Sequence, residues 1–252
     1  MLPGATPSQS LIPTLGLYRG EAAELLAQPR AGLIVTPNLD HLRLLTLSPA
    51  LRRAYEAADV VLNDSRFLDR LAFRGRVLCL PGSDLAPAML EALPPQARVL
   101  VIGGDPALRT YLAQAFPAID IVCLQPSMGY IQRRSERRGI VAATLEADPH
   151  VVFVCTGAPR SELLAAQIKR SGYPGAILCC GSAFHFLSGA KRRAPAALQR
   201  LGAEWLWRFV SEAGTRKRYI ADALFLMRHA RAFLRLRRRG EADFGRYRLR
   251  AG

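Results

Sequence analysis

No apolar run in the chain reaches the ~18 residues that a membrane-crossing helix needs, so no spanning segment is expected. Cysteine is sparse. The five residues Cys79, Cys123, Cys155, Cys179 and Cys180 are odd in number and form no CxxC pair, which argues against a disulfide framework and a zinc site. All lie in or beside apolar runs and read as small buried residues in a reducing compartment. His41, His150, His185 and His229 share no ligand spacing, and no Asp-x-Asp motif is present, so no metal is expected. No complete GxGxxG or GxxxxGK[ST] loop occurs, which leaves nicotinamide and P-loop nucleotide readings weak. The start, MLPGATPSQSLIPTLG, lacks a basic segment leading into an apolar core, so no secretory signal is read and the protein is expected in the cytoplasm. Acidic residues are scarce towards the C-terminus. From Lys191 to Gly252 there are 17 Lys and Arg against 5 Asp and Glu, a net of +12 out of +15 for the whole chain.

What the sequence does contain is an alternation. Short apolar runs at Gly32–Val35, Asp59–Leu62, Val77–Leu80, Arg98–Ile102, Ile119–Leu124, His150–Cys155 and Ala176–Cys180 alternate with stretches of helical periodicity. That pattern predicts an α/β fold with a largely parallel, Rossmann-like sheet flanked by helices. It divides the chain into an N-terminal arm (1–20), an α/β domain (21–194) and a basic helical C-terminal appendage (195–252). The appendage reads as helical to about Arg239, with 240–252 as a frayed tail. On a helical wheel Ile220, Ala223, Leu226, Met227, Ala230, Phe233 and Leu234 share one arc. Lys217, Arg228, Arg231, Arg235 and Arg239 share the next. Such a helix suits an anionic membrane surface, or equally a docked helix with solvated arginines. Both tryptophans, Trp205 and Trp207, lie among these cations. Guanidinium forks match phosphate oxygens, and indole covers apolar or sugar-ring surface.

Several strands end in small or polar residues just before a helix, and open α/β sheets bind ligands beyond the carboxyl ends of their strands. Asp64 follows one strand between Asn63 and Ser65. A carboxylate there can take a proton from an attacking hydroxyl, or it can simply form a turn or cap. Thr36 and Asn38 offer neutral hydrogen bonds at another strand end. Ser83 and Asp84 follow a third, and either can cap the helix Leu85–Leu93. Gly103-Gly104 and Gly157-Ala158-Pro159 open helices, where small residues let a diphosphate approach backbone N–H groups.

Six blocks in order carry a resemblance: TPNLDHLRLL from Thr36, ADVVLNDS from Ala58, GSDL from Gly82, VLVIGGDP from Val99, VFVCTGAPRSE from Val152, and GSAFHFLSGAKRRAP…LQRLGAEWLWRFVSE…RY from Gly181. Together they resemble the WecG/TagA/CpsF glycosyltransferases, glycosyltransferase family 26, over roughly residues 32 to 219. The resemblance implies an inverting glycosyltransferase for bacterial surface or exported polysaccharide. Its donor would be a nucleotide-sugar, UDP-linked, and its acceptor a polyprenyl-diphosphate-linked saccharide at the inner face of the cell membrane. It implies Asp64 as general base. Substrate binding would fall to Thr36, Asn38, Ser83, Asp84, Gly103, Gly104, Gly157, Ala158 and Pro159, with Arg193, Arg208 and Arg218 meeting the diphosphate. No cofactor or metal is implied, and a homo-oligomer is compatible with the sequence. The chain departs from the family pattern at Asn63 and Ser65, which replace Pro and Gly, at Ser161, which replaces Gln, and at His185, which replaces Asp. The loop Glu212–Thr215 is about one residue short, so Arg216 and Lys217 do not align. The departures at Ser65, Ser161 and His185 motivate one rival, a catalytically impaired nucleotide-sugar-binding homologue, and the +12 C-terminal quarter motivates another, a basic nucleic-acid-binding protein, though without a recognised motif.

Overall fold

A computed structural model describes residues 13–27, 32–104, 106–181, 183–189 and 191–251. The first twelve residues of the expected arm, Asp105 and Ser182 lie outside that set. The strands are β1 (Thr14–Gly16), β2 (Leu33–Val35), β3 (Val60–Val61), β4 (Arg98–Ile102), β5 (Asp120–Leu124), β6 (Val151–Val154), β7 (Ala176–Cys179), β8 (Glu241–Asp243) and β9 (Arg248–Arg250). In the first half the helices are α1 (Ala22–Ala27), α2 (Leu39–Leu47), α3 (Pro49–Glu56), α4 (Arg66–Leu68), α5 (Gly82–Glu91) and α6 (Pro106–Ala115). They continue as α7 (Arg134–Ala147), α8 (Arg160–Arg170), α9 (Ala183–Leu187), α10 (Ala196–Arg200), α11 (Glu204–Ser211), α12 (Arg216–Arg228) and α13 (Ala230–Arg239).

Six strands form one all-parallel sheet in the order β3-β2-β7-β6-β4-β5. Strand side chains alternate between faces. Val35, Leu100, Ile102, Val152, Val154 and Ile177 enter one buried cluster, and Ile34, Val99, Val101, Val151, Phe153 and Leu178 enter another. Helices cover both faces, which is why these strands read as continuous apolar runs rather than as alternation. The α/β expectation therefore holds. The run Val77–Leu80 is a correction: it makes a single parallel bridge, Asn63 to Cys79, and no strand. Its amides go instead to Tyr18 (from Leu78) and Asn63 (from Leu80), and Pro81 then turns the chain into α5.

The ends of the chain are the larger correction. Residues 240–252 are not a frayed tail. β8 and β9 form an antiparallel hairpin, and β9 also pairs in parallel with β1, giving a second sheet in the order β1-β9-β8. Tyr247 has no exposed surface, and its hydroxyl donates to the Leu42 carbonyl at 3.0 Å. Phe225, Phe233, Phe244 and Tyr247 pack ring to ring with centroids 5.1 to 6.2 Å apart along the chain of contacts. These rings join the same buried cluster as β2 and β7, so the appendage extends the core of the body.

Nor is the stretch after Pro195 one helix. Gly202, at φ 68°, ends α10 beside the body, where a Cβ would meet the Arg66 backbone at 3.1 Å. Residues Ala213–Thr215 form a tight turn, and His229, at φ −107°, separates α12 from α13. The wheel drawn across His229 therefore runs out of phase. The docked side is Asp222, Phe225, Phe233 and Leu236, while Ile220, Leu224, Met227 and Leu234 are exposed beside exposed Arg228, Arg231 and Arg235.

Candidate active site

Asp64 is aimed by the backbone around it. Its N–H donates to the Pro37 carbonyl at the end of β2, and the Leu80 N–H donates to the Asn63 carbonyl. Buried Asn63 accepts from the Ser65 N–H through Oδ1 at 3.0 Å, an Asx-turn that bends the chain at Asp64. Ser65 then caps α4, accepting from the Leu68 N–H at 3.2 Å. Its φ is −122°, extended backbone open to any residue, so the absent glycine is not needed in this turn. The Asp64 carboxylate accepts from the Gly82 N–H (2.8 Å), at the positive end of α5, and from the Asn38 amide Nδ2 (3.4 Å). Gly82 must be small: a Cβ there would come within 3.3 Å of the Cys180 backbone and 3.4 Å of the Thr36 hydroxyl.

Burial raises the Asp64 carboxyl above the ordinary carboxylate value. The Gly82 N–H, the charges of His41 and Arg208, and the Asn38 amide all pull the other way and lose. A carboxylate made more basic in this manner is a better proton acceptor at neutral pH.

Asp64 lies in a cleft of about 230 Å³ between the body and the appendage. Asn38, Asp40, Asp64, Arg66, Arg208 and Arg218 line one part. Leu39, Phe67, Trp205, Ala223 and Leu226 supply apolar surface, and Glu204 and Asp222 add two carboxylates. Trp205 packs edge-on against Phe67 with centroids 6.4 Å apart. Arg218 stacks 4.9 Å from the Tyr219 ring, and its Nε is buried with no hydrogen-bond partner among the described residues. Arg208 lies 4.8 Å from the Phe186 ring and also borders a shallow recess with Ser83 and Arg193.

The residues expected from the sequence thus divide. Asn38, Asp64, Arg208 and Arg218 converge on the cleft, with Ser83 and Arg193 next to it. Ser83 and Asp84 do not cap a helix, because α5 starts one turn earlier than expected with Pro81 at the cap position. They bind arginines instead: Arg193 donates to Ser83 Oγ (2.6 Å) and to Asp84, and Arg66 donates to the other Asp84 oxygen (2.8 Å). Arg66 also donates to Glu204 (2.7 Å), clasping the appendage to the body. Thr36 is buried, and its hydroxyl donates to the Cys179 carbonyl (3.0 Å), joining β2 to the end of β7 rather than facing the cleft. Gly103 and Gly104 at the end of β4 have φ of 95° and 107°, and a Cβ on Gly103 would strike Cys155 at 3.1 Å. Gly157 and the cis peptide Ala158–Pro159 follow β6. These five residues stand at the same sheet edge but do not line the Asp64 cleft.

Sequence reasoning gave no site role to His41, Glu162, Arg66 or Phe67, although it singled out Trp205 as cover for apolar or sugar-ring surface. Ser161 and Glu162 drew notice only through the missing Gln. Ser161 is fully buried and hydrogen-bonds Thr156 (3.3 Å), whose hydroxyl meets that of Tyr130 (2.8 Å). It therefore serves the floor of the site and does not reach the cleft. The chain matches the profile of the Glycosyl transferase WecG/TagA/CpsF family over residues 17–239. It belongs to that family. A WecG/TagA/CpsF chain is a glycosyltransferase of cell-surface polysaccharide biosynthesis, with a sugar donor and an acceptor to bring together. Among the described residues no helix is long and apolar enough to cross a membrane.

Proposed function

We propose that this chain is an inverting glycosyltransferase. It moves a hexosyl or N-acetylhexosaminyl group from a UDP-linked donor to a polyprenyl-diphosphate-linked saccharide. The observation that carries the reading is Asp64: a carboxylate raised by burial, held by two hydrogen bonds, and facing Arg208 and Arg218 across a half-apolar cleft. An acceptor hydroxyl beside Asp64 Oδ2 gives up its proton as its oxygen attacks the anomeric carbon. The bond to the departing nucleoside diphosphate breaks on the opposite side, so the anomeric configuration inverts. One carboxylate suffices, because no covalent intermediate forms. The negative charge that develops on the diphosphate is met by guanidinium groups, for which Arg208, Arg218 and Arg193 are the candidates. Catalysis on this reading continues in EDTA.

The apolar wall of Phe67, Trp205 and Leu226 suits the ring face of a sugar or the start of a lipid chain. Exposed Ile220, Leu224, Met227 and Leu234, beside the arginines of α12 and α13, suit the anionic inner face of the cell membrane. The enzyme would then act as a peripheral protein. The decisive assay incubates purified protein with a panel of UDP-sugars, a lipid-diphosphate saccharide and EDTA, and follows UDP release. Acceptor-dependent release from one donor is expected. Saturable UDP-sugar binding without release in any acceptor series would replace the transferase with a binding protein.

A further inference from the structure

Asp64 does not stand alone. Behind Asn38, on the side away from the cleft, lies a second carboxylate that the transfer reaction does not touch. Glu162, in the first turn of α8, is buried, with Oε1 3.2 Å from His41 Nε2. Its Oε2 is buried without a hydrogen-bond partner among the described residues. A buried carboxylate with one oxygen idle is costly unless the other holds a cation or a strong donor. The His41 ring is the group it faces. On the far side of that ring, Nδ1 lies 2.9 Å from Asn38 Oδ1.

Asn38 Oδ1 also accepts the N–H groups of Asp40 (3.1 Å) and His41 (3.4 Å) as the cap of α2. With two backbone N–H groups held on its oxygen, the amide can point only its nitrogen at Asp64. Flipped, it would set an oxygen against the carboxylate. His41 Nδ1 also lies 3.4 Å from the Asn38 backbone N–H, which would donate to it, but its contact with Asn38 Oδ1 is closer at 2.9 Å, and a doubly protonated His41 meets that contact while donating through Nε2 to Glu162. Burial opposes that proton, but the Glu162 hydrogen bond, with the charges of Glu162, Asp40 and Asp64, outweighs it and raises His41 above the ordinary imidazole value. The other groups facing the ring are Tyr55 from α3, centroids 6.5 Å apart, and Asp64 itself, which Arg208 of α11 also approaches.

We propose that Glu162 and His41 are positioning residues for the base: Glu162 holds the imidazolium of His41, His41 fixes the Asn38 amide, and Asn38 orients Asp64. The proposal rests on the reading of Asp64 as general base. It assigns a task to two residues 121 positions apart that no local motif connects.

The test uses the full chain and two readouts. In the kinetic arm, Glu162→Gln and His41→Gln are compared with wild type and Asp64→Asn. Both positioning variants should lose about 10- to 100-fold in kcat, with the donor KM within about threefold. The acid limb of kcat/KM should move to higher pH, because Asp64 loses the nearby positive charge that lowers its value. A role in packing alone would lower stability and leave that limb in place. Melting curves identify a variant that has lost its fold. In the second arm, histidine labelled with ¹⁵N is titrated by NMR, with His41→Gln assigning the signal. His41 should keep both ring protons to higher pH in wild type than in Glu162→Gln. Identical titrations, or a wild-type acid limb in both positioning variants, would overturn the proposal. Near-normal turnover in Asp64→Asn would overturn the base assignment instead, while the NMR arm still judges whether Glu162 holds the His41 charge.

Discussion

The sheet edge and the C-terminal quarter supply opposite things to one cleft. On the proposed reading the edge brings the acid–base chemistry: Asp64, Asn38, His41 and Glu162, all set by strand ends and the first turns of α2, α5 and α8. The quarter after Pro195 brings mainly cations and apolar surface, Arg208, Arg218, Trp205 and Leu226, together with Glu204 and Asp222, two carboxylates already engaged by Arg66 and Arg43. Reaction geometry has to be accurate to a fraction of an ångström, so it sits on elements buried on both faces. Charge and apolar contact tolerate looser placement, and they come from an added layer clasped by Arg66–Glu204 and Arg43–Asp222. Changes on the two sides should therefore fail in different ways.

Asp64→Asn tests the edge most harshly. Transfer should fall by about 10²- to 10⁴-fold, the usual worth of a positioned base, with donor binding retained by calorimetry. Turnover close to wild type would dissolve the division of labour. Next is the seam between the regions. Tyr247→Ala removes a fully buried aromatic ring and its bond to Leu42, and should cost about 3–5 kcal/mol in denaturant unfolding. A loss under 1 kcal/mol would mean that the appendage is not part of the core. Arg208→Ala and Arg218→Ala come third. Each should cost about 10- to 100-fold in kcat/KM, the worth of one charge-assisted contact, and leave the pH profile unshifted except for the influence of Arg208 on Asp64. Replacing Ile220, Leu224 and Met227 by Ser should weaken recovery on anionic vesicles without altering turnover of a short, water-soluble acceptor.

The smallest effect concerns stability. Asp64 has a folded-state value above its unfolded one, so its favourable contribution belongs to the protonated form. That contribution is complete below the unfolded value of about 3.9 and is lost as pH rises through the raised folded value. At neutral pH the ionised base burdens the fold. Asp64→Asn should melt about 2 °C or more above wild type at pH 7, with the gap closing at acid pH. Activity follows the reverse course and falls as acid protonates the base.

The edge was far more legible in the sequence than the quarter. Strands buried on both faces announce themselves as apolar runs, and a polar residue straight after such a run, as at Asp64, marks the ligand edge. Thr36 obeyed the same rule yet serves the backbone, since position alone does not say which way a hydroxyl donates. His41 and Glu162 could not be paired from sequence because only a tertiary side-chain contact between the first turns of α2 and α8 joins them. In the quarter, helical periodicity held within α12 and α13, but nothing marked the break at His229. The hairpin left a faint trace, with Ala242 and Leu249 each buried between two charged neighbours and Gly245 at the turn. Strands of three residues with two charged members look like solvated tail until a partner is found. For β9 that partner is β1, far upstream.

That pairing makes the order of synthesis matter. β9 is the middle strand of its sheet, so β1 has no strand neighbour in that sheet until residues 248–250, made long after it, follow. The parallel sheet of the body needs nothing beyond Cys179 and is ready to collapse long before. A nascent chain thus passes through a stage with Asp64 in place and the cationic wall unfastened, and β9 is the latch that fastens β1 to β8.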